Sequence, residues 1–165
     1  MKSNIQLKDI TIRTTLEPGD MGYIIHLHGK MYKEEYNYGV EFESYVAKGF
    51  HEFYQQYDAS CNRVWICEHQ NNMIGFVLLM SRGQAAQLRY FIILKEYRGI
   101  GLGNKLMELY MDFFRACRYT SSYLWTTDEL DVAAHLYKKF GFRLTEQKKS
   151  DAFGKPVIEN KYELT

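Results

Sequence analysis

Apolar residues recur at every third or fourth position in four stretches of the chain, the spacing expected when one face of a helix is buried. The second stretch is the clearest, because Phe42, Val46, Phe50 and Phe53 fall on one side of the helical pattern. The spacing predicts helices over 20–33, 40–57, 102–117 and 129–140.

Three helix ends carry residues that are typical of helix caps. Asp20 stands where the first helix begins, and its side chain can accept a hydrogen bond from a free backbone N–H. Thr127 or Asp128 can cap the last helix in the same way. Gly141 follows that helix as a C′ glycine, which predicts a left-handed conformation there.

Shorter stretches have alternating or continuous apolar patterns and predict strands. The predicted strands cover 5–14, 63–69, 73–82, 86–94, 122–127 and 156–164, and a further strand begins at Phe142. Asn71 and Asn72 form a turn between the second and third strands, so these two strands form a hairpin. The stretch 86–94 is nearly continuously apolar at its end, which indicates a central place in the sheet.

The predicted order of elements is β-α-α-β-β-β-α-β-α-β-β. Hairpins lie near both ends and a βαβ crossover lies in the middle, so we expect an α/β (α+β) fold around a mixed sheet. Residues 1–165 are interpreted as a single domain, because no internal repeat, low-complexity tract or linker interrupts them.

Composition narrows the class of protein. The chain has 165 residues and a net charge of +1, so it lacks the basic excess of a nucleic-acid-binding protein. Its longest apolar run, 73–80, is too short to cross a membrane. Cys61, Cys67 and Cys117 have no CxxC spacing, which fits a protein of the reducing cytoplasm better than a disulfide framework.

The stretch "EYRGIGLGNKL" (96–106) connects the fourth predicted strand to the third helix. Its glycines fit neither the GxGxxG nor the GxxxxGK[ST] pattern, because counting from Gly99 places Asn104 at the last glycine of both. Glycines let successive amides turn toward one point, and a helix N-terminus adds free donors, so the loop can hold a phosphate. The alternative is a turn that holds nothing.

A second motif, "AAHLYKKFGF" (133–142), follows the loop after a short strand. Together the two motifs resemble the GNAT superfamily of acyl-CoA-dependent N-acetyltransferases, and the likeness covers essentially the whole chain. The loop pattern [RQ]-x-x-G-x-[GA] is matched by Arg98, Gly101 and Gly103. The later pattern A-x-x-L-Y-x-x-x-G-F is matched by Ala133, Leu136, Tyr137, Gly141 and Phe142.

Several longer segments are similar to the acetyltransferase half of proteins that fuse a MarR-type DNA-binding domain to a GNAT domain. One of them is "QLRYFIILKEYRGIGLGNKLMELYMDFF" (87–114), and another is "VEFESYVAKGFHEFYQQYD" (40–58). Nothing about DNA binding is carried over from that likeness, and we expect this domain alone to bind no nucleic acid.

The resemblance implies a GNAT fold of about seven strands and four helices, in which strands 4 and 5 splay into a V-shaped cleft. Acetyl-CoA would lie in the cleft, without a metal. Its pyrophosphate would rest on the amides of Arg98, Gly99, Ile100, Gly101, Leu102, Gly103 and Asn104. Its pantetheine arm would bond to the backbone of Phe91, Ile92 and Ile93, and Thr126 would border it. The side chains of these strand residues can equally be core.

The resemblance also implies direct attack of a primary amine, from a small molecule or a peptide, on the thioester. A backbone N–H near Ile93 would stabilise the oxyanion, and the Tyr137 phenol would protonate the leaving thiolate. A tyrosine at this helical spacing can instead pack on the sheet.

The group that takes the proton of the amine stays open. A glutamate that some relatives carry on the fourth strand is replaced by Gln87, and a frequent asparagine is replaced by Leu130. Glu34, Glu35 and Glu41 lie in the N-terminal helical region that usually shapes the acceptor site, so they are the candidate acceptor-binding residues. A solvated helix face or a water relay are the alternatives.

Two other functions compete with catalysis. Because Gln87 and Leu130 depart from the pattern, the domain can be a non-catalytic acyl-CoA-binding sensor or regulatory module. It can also be an interaction domain with an empty loop. The aromatic residues of 20–57 can line an acceptor cleft or a dimer surface, and homodimers are common in the superfamily. His26 and His28 have no third ligand at metal spacing, which favours packing or surface roles.

Overall fold

The computed structural model describes residues 4–165, which fold into a seven-stranded mixed sheet with four helices. The strands are β1 (Thr11–Arg13), β2 (Arg63–His69), β3 (Asn72–Arg82), β4 (Ala85–Ile93), β5 (Ser121–Thr127), β6 (Arg143–Ser150) and β7 (Val157–Leu164). The helices are α1 (Asp20–Tyr36), α2 (Val40–Gln55), α3 (Leu102–Ala116) and α4 (Asp131–Lys139). The predicted fold class and element order are confirmed.

The strands lie in the order β1-β2-β3-β4-β5-β7-β6. All neighbours are antiparallel except β4 and β5, which are parallel because α3 crosses over between them. The β4–β5 ladder pairs only Ala85–Gln87 with Ser121–Tyr123, and the two strands separate beyond that point. The predicted splay between strands 4 and 5 is therefore confirmed.

Each face of the sheet carries its own hydrophobic core. Alternation along β3 sends Phe76 into the core under α1 and α2, and Val77 into the core under α3 and α4. The first core is completed by Phe50 and the second by Leu106, both of them buried. The helices therefore form a layer on each side of the sheet.

The first predicted strand, 5–14, is too long. A 3₁₀ turn occupies Leu7–Asp9, and β1 consists of three residues that pair with β2. The carboxylate of Asp9 accepts the backbone N–H of Gln6 at 2.9 Å, which holds the turn. A local side-chain contact thus replaces strand pairing over this stretch.

The predicted caps at the helix N-termini are wrong, whereas the predicted C′ glycine is confirmed. Helix α1 begins at Asp20, and Gly19 is its N-cap. The Asp20 side chain does not cap the helix, because Arg13 binds both oxygens of its carboxylate at 2.7 and 2.8 Å. Gly141 follows α4 with a φ of +95°, a left-handed conformation that suits glycine.

Helix α4 begins at Asp131, with Leu130 as its N-cap, so neither predicted cap residue is free to serve it. The Thr127 hydroxyl is hydrogen-bonded to the phenol of Tyr38 at 2.7 Å. A carboxylate oxygen of Asp128 accepts the backbone N–H of Ile158 at 3.2 Å. Both side chains are held by neighbouring elements instead.

Candidate active site

The glycine loop joins β4 to α3, and each of its three glycines meets a different requirement. Gly99 and Gly101 have φ angles of +80° and +90°, where a side chain would strain the backbone. Gly101 is also the N-cap of α3. A Cβ on Gly103 would stand 3.3 Å from Leu136, so this glycine allows α4 to approach α3 closely. The loop thus opens the N-terminus of α3 toward a cleft.

That cleft has a volume of about 530 Å³ and lies between the end of α1, the end of β4, the glycine loop and α4. Nine predicted cofactor-binding residues line it: Phe91, Ile92, Ile93, Arg98, Gly99, Gly101, Gly103, Asn104 and Tyr137. Ile100 and Leu102 belong to the loop but pack toward the core, and Leu102 is fully buried. We name this space the large cleft.

The end of β4 presents backbone amides to the large cleft. The N–H of Leu94 donates to the carbonyl of Ile74 on β3 at 2.9 Å. Because successive amides of a regular strand point to opposite sides, the N–H of Ile93 points toward the side where β5 has separated. The β3–β4 register shifts just before Ile92, where Tyr90 has a φ of +58°, so the regular alternation ends there. An extended group lying in the cleft can therefore pair with this strand edge.

Arg98 ties the loop to the end of α1. Its guanidinium forms a two-pronged ion pair with Glu35 at 2.7 and 3.0 Å, and its Nε donates to the carbonyl of Ile93 at 3.0 Å. The hydrogen bonds from Arg98 hold the pKa of the Glu35 carboxyl below its usual range. The Glu35 carboxylate is therefore engaged in structure at the wall of the large cleft.

The three glutamates predicted to bind the acceptor are not brought together. Glu35 is held by Arg98. Glu34 is exposed and lines neither this cleft nor the cavity described below. The carboxylate of Glu41 packs against Gly39 and Gly154, also outside both spaces.

Tyr137 of α4 stands at the inner end of the large cleft. Its side chain is 5% exposed, and its ring meets that of Phe91 edge-on with 6.3 Å between centroids. Its hydroxyl has no hydrogen-bond partner among residues 4–165, and burial raises the pKa of the phenol. Tyr137 is thus a protonated donor at neutral pH.

A smaller cavity of about 110 Å³ adjoins the large cleft on the α1–α2 side of the sheet. Five residues line both spaces: Tyr32, Phe91, Leu130, Ala133 and Tyr137. The remaining walls are largely aromatic and come from Tyr38, Phe42, Tyr45, Trp125 and Phe153. We name it the small cavity. The tyrosine-rich stretch 20–57 had pointed to such an aromatic cleft.

Six polar side chains other than tyrosines also line the small cavity: His28, Gln87, Arg89, Thr126, Thr127 and Glu159. The sequence analysis considered Gln87 and Thr126 beside the acetyl-transfer site, Thr127 as a helix cap and His28 as a possible metal ligand, but neither Arg89 nor Glu159. Thr126 had been predicted to border the cofactor, whereas the structure places it in the wall of the small cavity and outside that of the large cleft.

Two of these polar groups have clear hydrogen-bonding states. The side-chain oxygen of Gln87 accepts from the Nε of Arg82 at 2.9 Å and from the hydroxyl of Tyr123 at 3.3 Å. The Nδ1 of His28 donates to the carbonyl of Ile24 at 2.9 Å, and burial lowers the pKa of this histidine to about 4. His28 is therefore neutral at neutral pH.

A lysine and a histidine that the motifs did not reveal stand at the mouth of the large cleft. Lys139 donates to the side-chain oxygen of Asn104 at 2.7 Å, beside the N-terminus of α3. His135 is exposed and lines the same wall. Their spacing of four residues on α4 places both on one helix face, which is the signal that could have identified them.

Within residues 4–165, no three His, Cys, Asp or Glu side chains are grouped as the ligands of a metal ion would be. His28 is buried against Tyr32, and His26 stacks on Tyr23 with 6.3 Å between ring centroids. In the same part of the chain, no helix is long and apolar enough to cross a bilayer.

A splayed mixed sheet with a glycine loop at the start of the crossover helix defines the class of acyl-CoA-dependent acetyltransferases. The model of the Acetyltransferase (GNAT) family matches residues 28–142, which is well over half of the chain. The chain therefore belongs to the GNAT acetyltransferase family.

A curated relative is the uncharacterized N-acetyltransferase YjgM of Escherichia coli (strain K12). It is 30% identical over 95 residues, which are 55% of this chain and 57% of that protein. The match thus spans little more than half of the relative's length.

Solved structures show the same fold at low sequence identity. Spermidine N-acetyltransferase from Vibrio cholerae, in complex with CoA and spermine, aligns over 95% of both chains with a TM-score of 0.69 and 23% identity. A GNAT acetyltransferase from Staphylococcus aureus Mu50 aligns over 93% of this chain and 97% of its own, with a TM-score of 0.74 and 19% identity. One from Elizabethkingia anophelis with acetyl-CoA bound aligns over 94% and 97%, with a TM-score of 0.65 and 14% identity.

Proposed function

We propose that this protein is an acetyl-CoA-dependent N-acetyltransferase that transfers the acetyl group to a primary amine of a small molecule or peptide. The large cleft would take the acyl donor and the small cavity the amine. Similarity to structures that hold CoA or acetyl-CoA supports the donor, and the spermidine acetyltransferase supports an amine as the acceptor class. The acceptor itself is addressed in the next subsection.

In this proposal the backbone holds the donor. The amides of Arg98 to Asn104, Ile100 and Leu102 included, surround the pyrophosphate at the N-terminus of α3, where the helix dipole favours an anion. Lys139 adds a positive charge at the same end of the cleft. The backbone of Phe91, Ile92 and Ile93 would bond to the pantetheine arm, with the N–H of Ile93 on the open side of the strand. Because these contacts use backbone atoms, the side chains of β4 remain free to pack.

The chemical step follows from the same geometry. The lone pair of the amine attacks the thioester carbonyl, and the N–H of Ile93 stabilises the negative charge that develops on the carbonyl oxygen. The carbon–sulfur bond then breaks, and the Tyr137 phenol gives its proton to the departing thiolate. The tyrosinate regains a proton from the nitrogen, directly or through water, so the transfer leaves the enzyme unchanged.

One observation carries the proposal. The Tyr137 hydroxyl, protonated and without a partner among residues 4–165, stands where a cofactor-sized cleft meets a small aromatic cavity. A tyrosine that only packed on the sheet would not need to line both spaces.

The test measures thiol release from acetyl-CoA with a panel of primary amines. In Tyr137→Phe, kcat should fall by about 100-fold or more, the lower end of what a positioned acid contributes, while CoA affinity stays unchanged. Tyr57→Phe removes a hydroxyl away from both spaces and should behave as wild type. Equal activity in Tyr137→Phe would remove this residue from the mechanism.

The same experiment separates the alternative functions. Stabilisation by CoA without thiol release on any amine would replace the enzyme by an acyl-CoA-binding sensor. That alternative is favoured by Gln87, whose side-chain oxygen already accepts two hydrogen bonds and cannot act as a base. Calorimetry without any CoA binding would refute both and leave an interaction domain.

Further predictions from the sequence belong to this proposal. We infer that residues 1–165 form one domain that works in the cytoplasm, since Cys61, Cys67 and Cys117 are all free thiols. A homodimer and the likeness to MarR–GNAT fusion proteins stay predictions as well. Light scattering of the purified protein measures the first, and a MarR-type domain joined to the chain in the source genome would support the second.

A further inference from the structure

Arg89 brings an unpaired positive charge to the small cavity. No carboxylate of residues 4–165 lies within salt-bridge distance of its guanidinium. Its contacts are neutral: the ring faces of Tyr90 and Tyr45 at 4.7 and 5.8 Å, and the Tyr45 hydroxyl at 3.5 Å. The guanidinium thus has donors that no carboxylate of the described chain occupies, and an anion in the cavity can bind them.

The other charged group in the small cavity is Glu159, and its charge is matched within the chain. Its side chain is 12% exposed and lies 3.9 Å from the Nζ of Lys148. His28 adds no charge, because it is neutral when buried. The uncompensated charge of the small cavity is therefore positive.

A second polar group in the same cavity lacks a partner. The Thr126 hydroxyl is buried and has no hydrogen bond within the described part of the chain. Buried hydroxyls in folded proteins are nearly always hydrogen-bonded, so this one is suited to a bound group. Arg89 lies on β4 and Thr126 on β5, so the two come from the two strands that separate.

We propose that the acceptor carries a carboxylate as well as its amine, and that Arg89 binds this carboxylate. The inference rests on the proposed acetyl transfer and adds the substrate class. A guanidinium presents a planar fork of N–H donors that matches a carboxylate with two parallel hydrogen bonds. The aromatic walls suit an apolar body, and a cavity of about 110 Å³ favours an acceptor of amino acid size, with a larger side chain able to extend toward solvent.

A polycation fits this cavity poorly. A second ammonium group of a polyamine would enter beside the Arg89 guanidinium, where like charges repel in a weakly screened environment. The faces of Tyr45 and Tyr90, which could hold an ammonium, are already covered by the arginine. The structure thus separates amino-carboxylates from polyamines as acceptors.

The experiment compares kcat/KM for acceptors that differ only in the carboxylate. The pairs are glycine and glycinamide, phenylalanine and phenylalaninamide, and 4-aminobutyrate and 4-aminobutyramide, with spermidine as the polycation. We expect at least one carboxylate to exceed its amide by about 10-fold or more, the range of a lost charge-assisted hydrogen bond. The pair with the largest ratio reports the spacing between amine and carboxylate.

Arg89→Gln should reduce that ratio to near one, chiefly by raising KM for the carboxylate. Arg89→Lys, which keeps the charge and loses the fork, should fall between the two. Arg63→Gln is the matched control, because Arg63 also covers an aromatic ring, that of Phe113 at 4.2 Å, outside both spaces.

The outcomes separate this inference from the proposed function. Acetylation of amines without preference for a carboxylate, or a preference for spermidine, would overturn the inference and leave the acetyltransferase standing. A carboxylate preference that survives Arg89→Gln would overturn the role of Arg89. No thiol release with any amine would overturn both.

Discussion

Gly49 leaves room for the Tyr90 side chain to pack against α2 beside the site, and we predict that filling this room destabilises the fold. Tyr90 has a φ of +58° in β4, one residue before Phe91, and its buried hydroxyl has no partner within residues 4–165. That hydroxyl occupies the position where a Cβ on Gly49 of α2 would lie. Gly49→Ala therefore forces the ring of Tyr90 away from the helix.

The magnitude follows from opposing contributions. Overpacking of this kind costs about 1–3 kcal/mol, and replacing glycine by alanine within a helix returns about 0.5–1 kcal/mol. We expect a net loss of about 1 kcal/mol in the free energy of unfolding. Tyr90→Phe removes an unpartnered buried hydroxyl and should raise stability by about 1 kcal/mol.

The double variant Gly49→Ala/Tyr90→Phe makes the test specific. The new Cβ then takes the space left by the hydroxyl and meets only the flexible end of Arg89 at 2.7 Å and the Tyr90 ring at 3.0 Å. The two changes should therefore be coupled by about 1 kcal/mol, beyond the ~0.5 kcal/mol within which independent changes add. Urea unfolding of the wild type and the three variants measures the cycle. Gly22→Ala is the control, since its Cβ would meet nothing within 4 Å.

Two results would refute this reasoning. One is a Gly49→Ala variant as stable as Gly22→Ala, and the other is additivity of the two changes in the cycle. Because Tyr90 precedes Phe91, Gly49→Ala should also raise KM for acetyl-CoA. An unchanged KM would mean that the strand edge is fixed independently of this contact.

Two further predictions concern charge. Burial lowers the pKa of His28 to about 4, so below pH ~6.5 the unfolded chain binds a proton at this residue that the folded chain does not. The free energy of unfolding should therefore fall by about 3 kcal/mol as the pH drops to 4. Urea unfolding midpoints of His28→Asn should lack this loss, and wild-type and variant midpoints that fall in parallel with pH would contradict the prediction. Glu35→Gln leaves the positive charge of Arg98 uncompensated and should tighten CoA binding about two- to threefold at low salt. Arg98→Gln should weaken CoA binding. Calorimetry at two ionic strengths measures both affinities, and weaker binding in both variants would show that the ion pair acts only by shaping the cleft.

The fold was largely predictable because each element carries its own periodicity. Burial of one helix face or one strand face repeats along a continuous stretch, and the stretch alone reveals it. The starts of three helices were predicted, at residues 20, 40 and 102, but the residues that cap α1 and α4 were not, because a capping side chain can be bound by a partner from another element instead. Arg13 captures the Asp20 carboxylate, and Tyr38 bonds to Thr127, so long-range contacts decide both ends.

The arrangement of the glycine loop beside the large cleft was predictable, and the make-up of the small cavity was not. The loop residues 98–104 are contiguous, so their order in the chain is already their arrangement around the cleft. Arg89, Thr126 and Glu159 come from three different strands, and only sheet order and register bring them to one cavity. The ion pair of Glu35 with Arg98 was not predicted for a related reason, because it spans distant parts of the chain.

An intact sheet separates the side chains of its two faces by a continuous layer of backbone. That layer opens where β4 and β5 part after Gln87, so Tyr137 from the α3–α4 side and Arg89 from the α1–α2 side line adjoining spaces. Donor and acceptor can then approach from opposite faces and be bound together. The five residues shared by both spaces include no thiol, carboxylate, lysine or histidine. Their only nucleophilic side-chain atoms are the phenol oxygens of Tyr32 and Tyr137, and burial raises the pKa of both phenols, which keeps them protonated and weakly nucleophilic. For the proposed acetyl transfer, the opening in the sheet therefore favours direct attack of one bound substrate on the other over a covalent acetyl-enzyme.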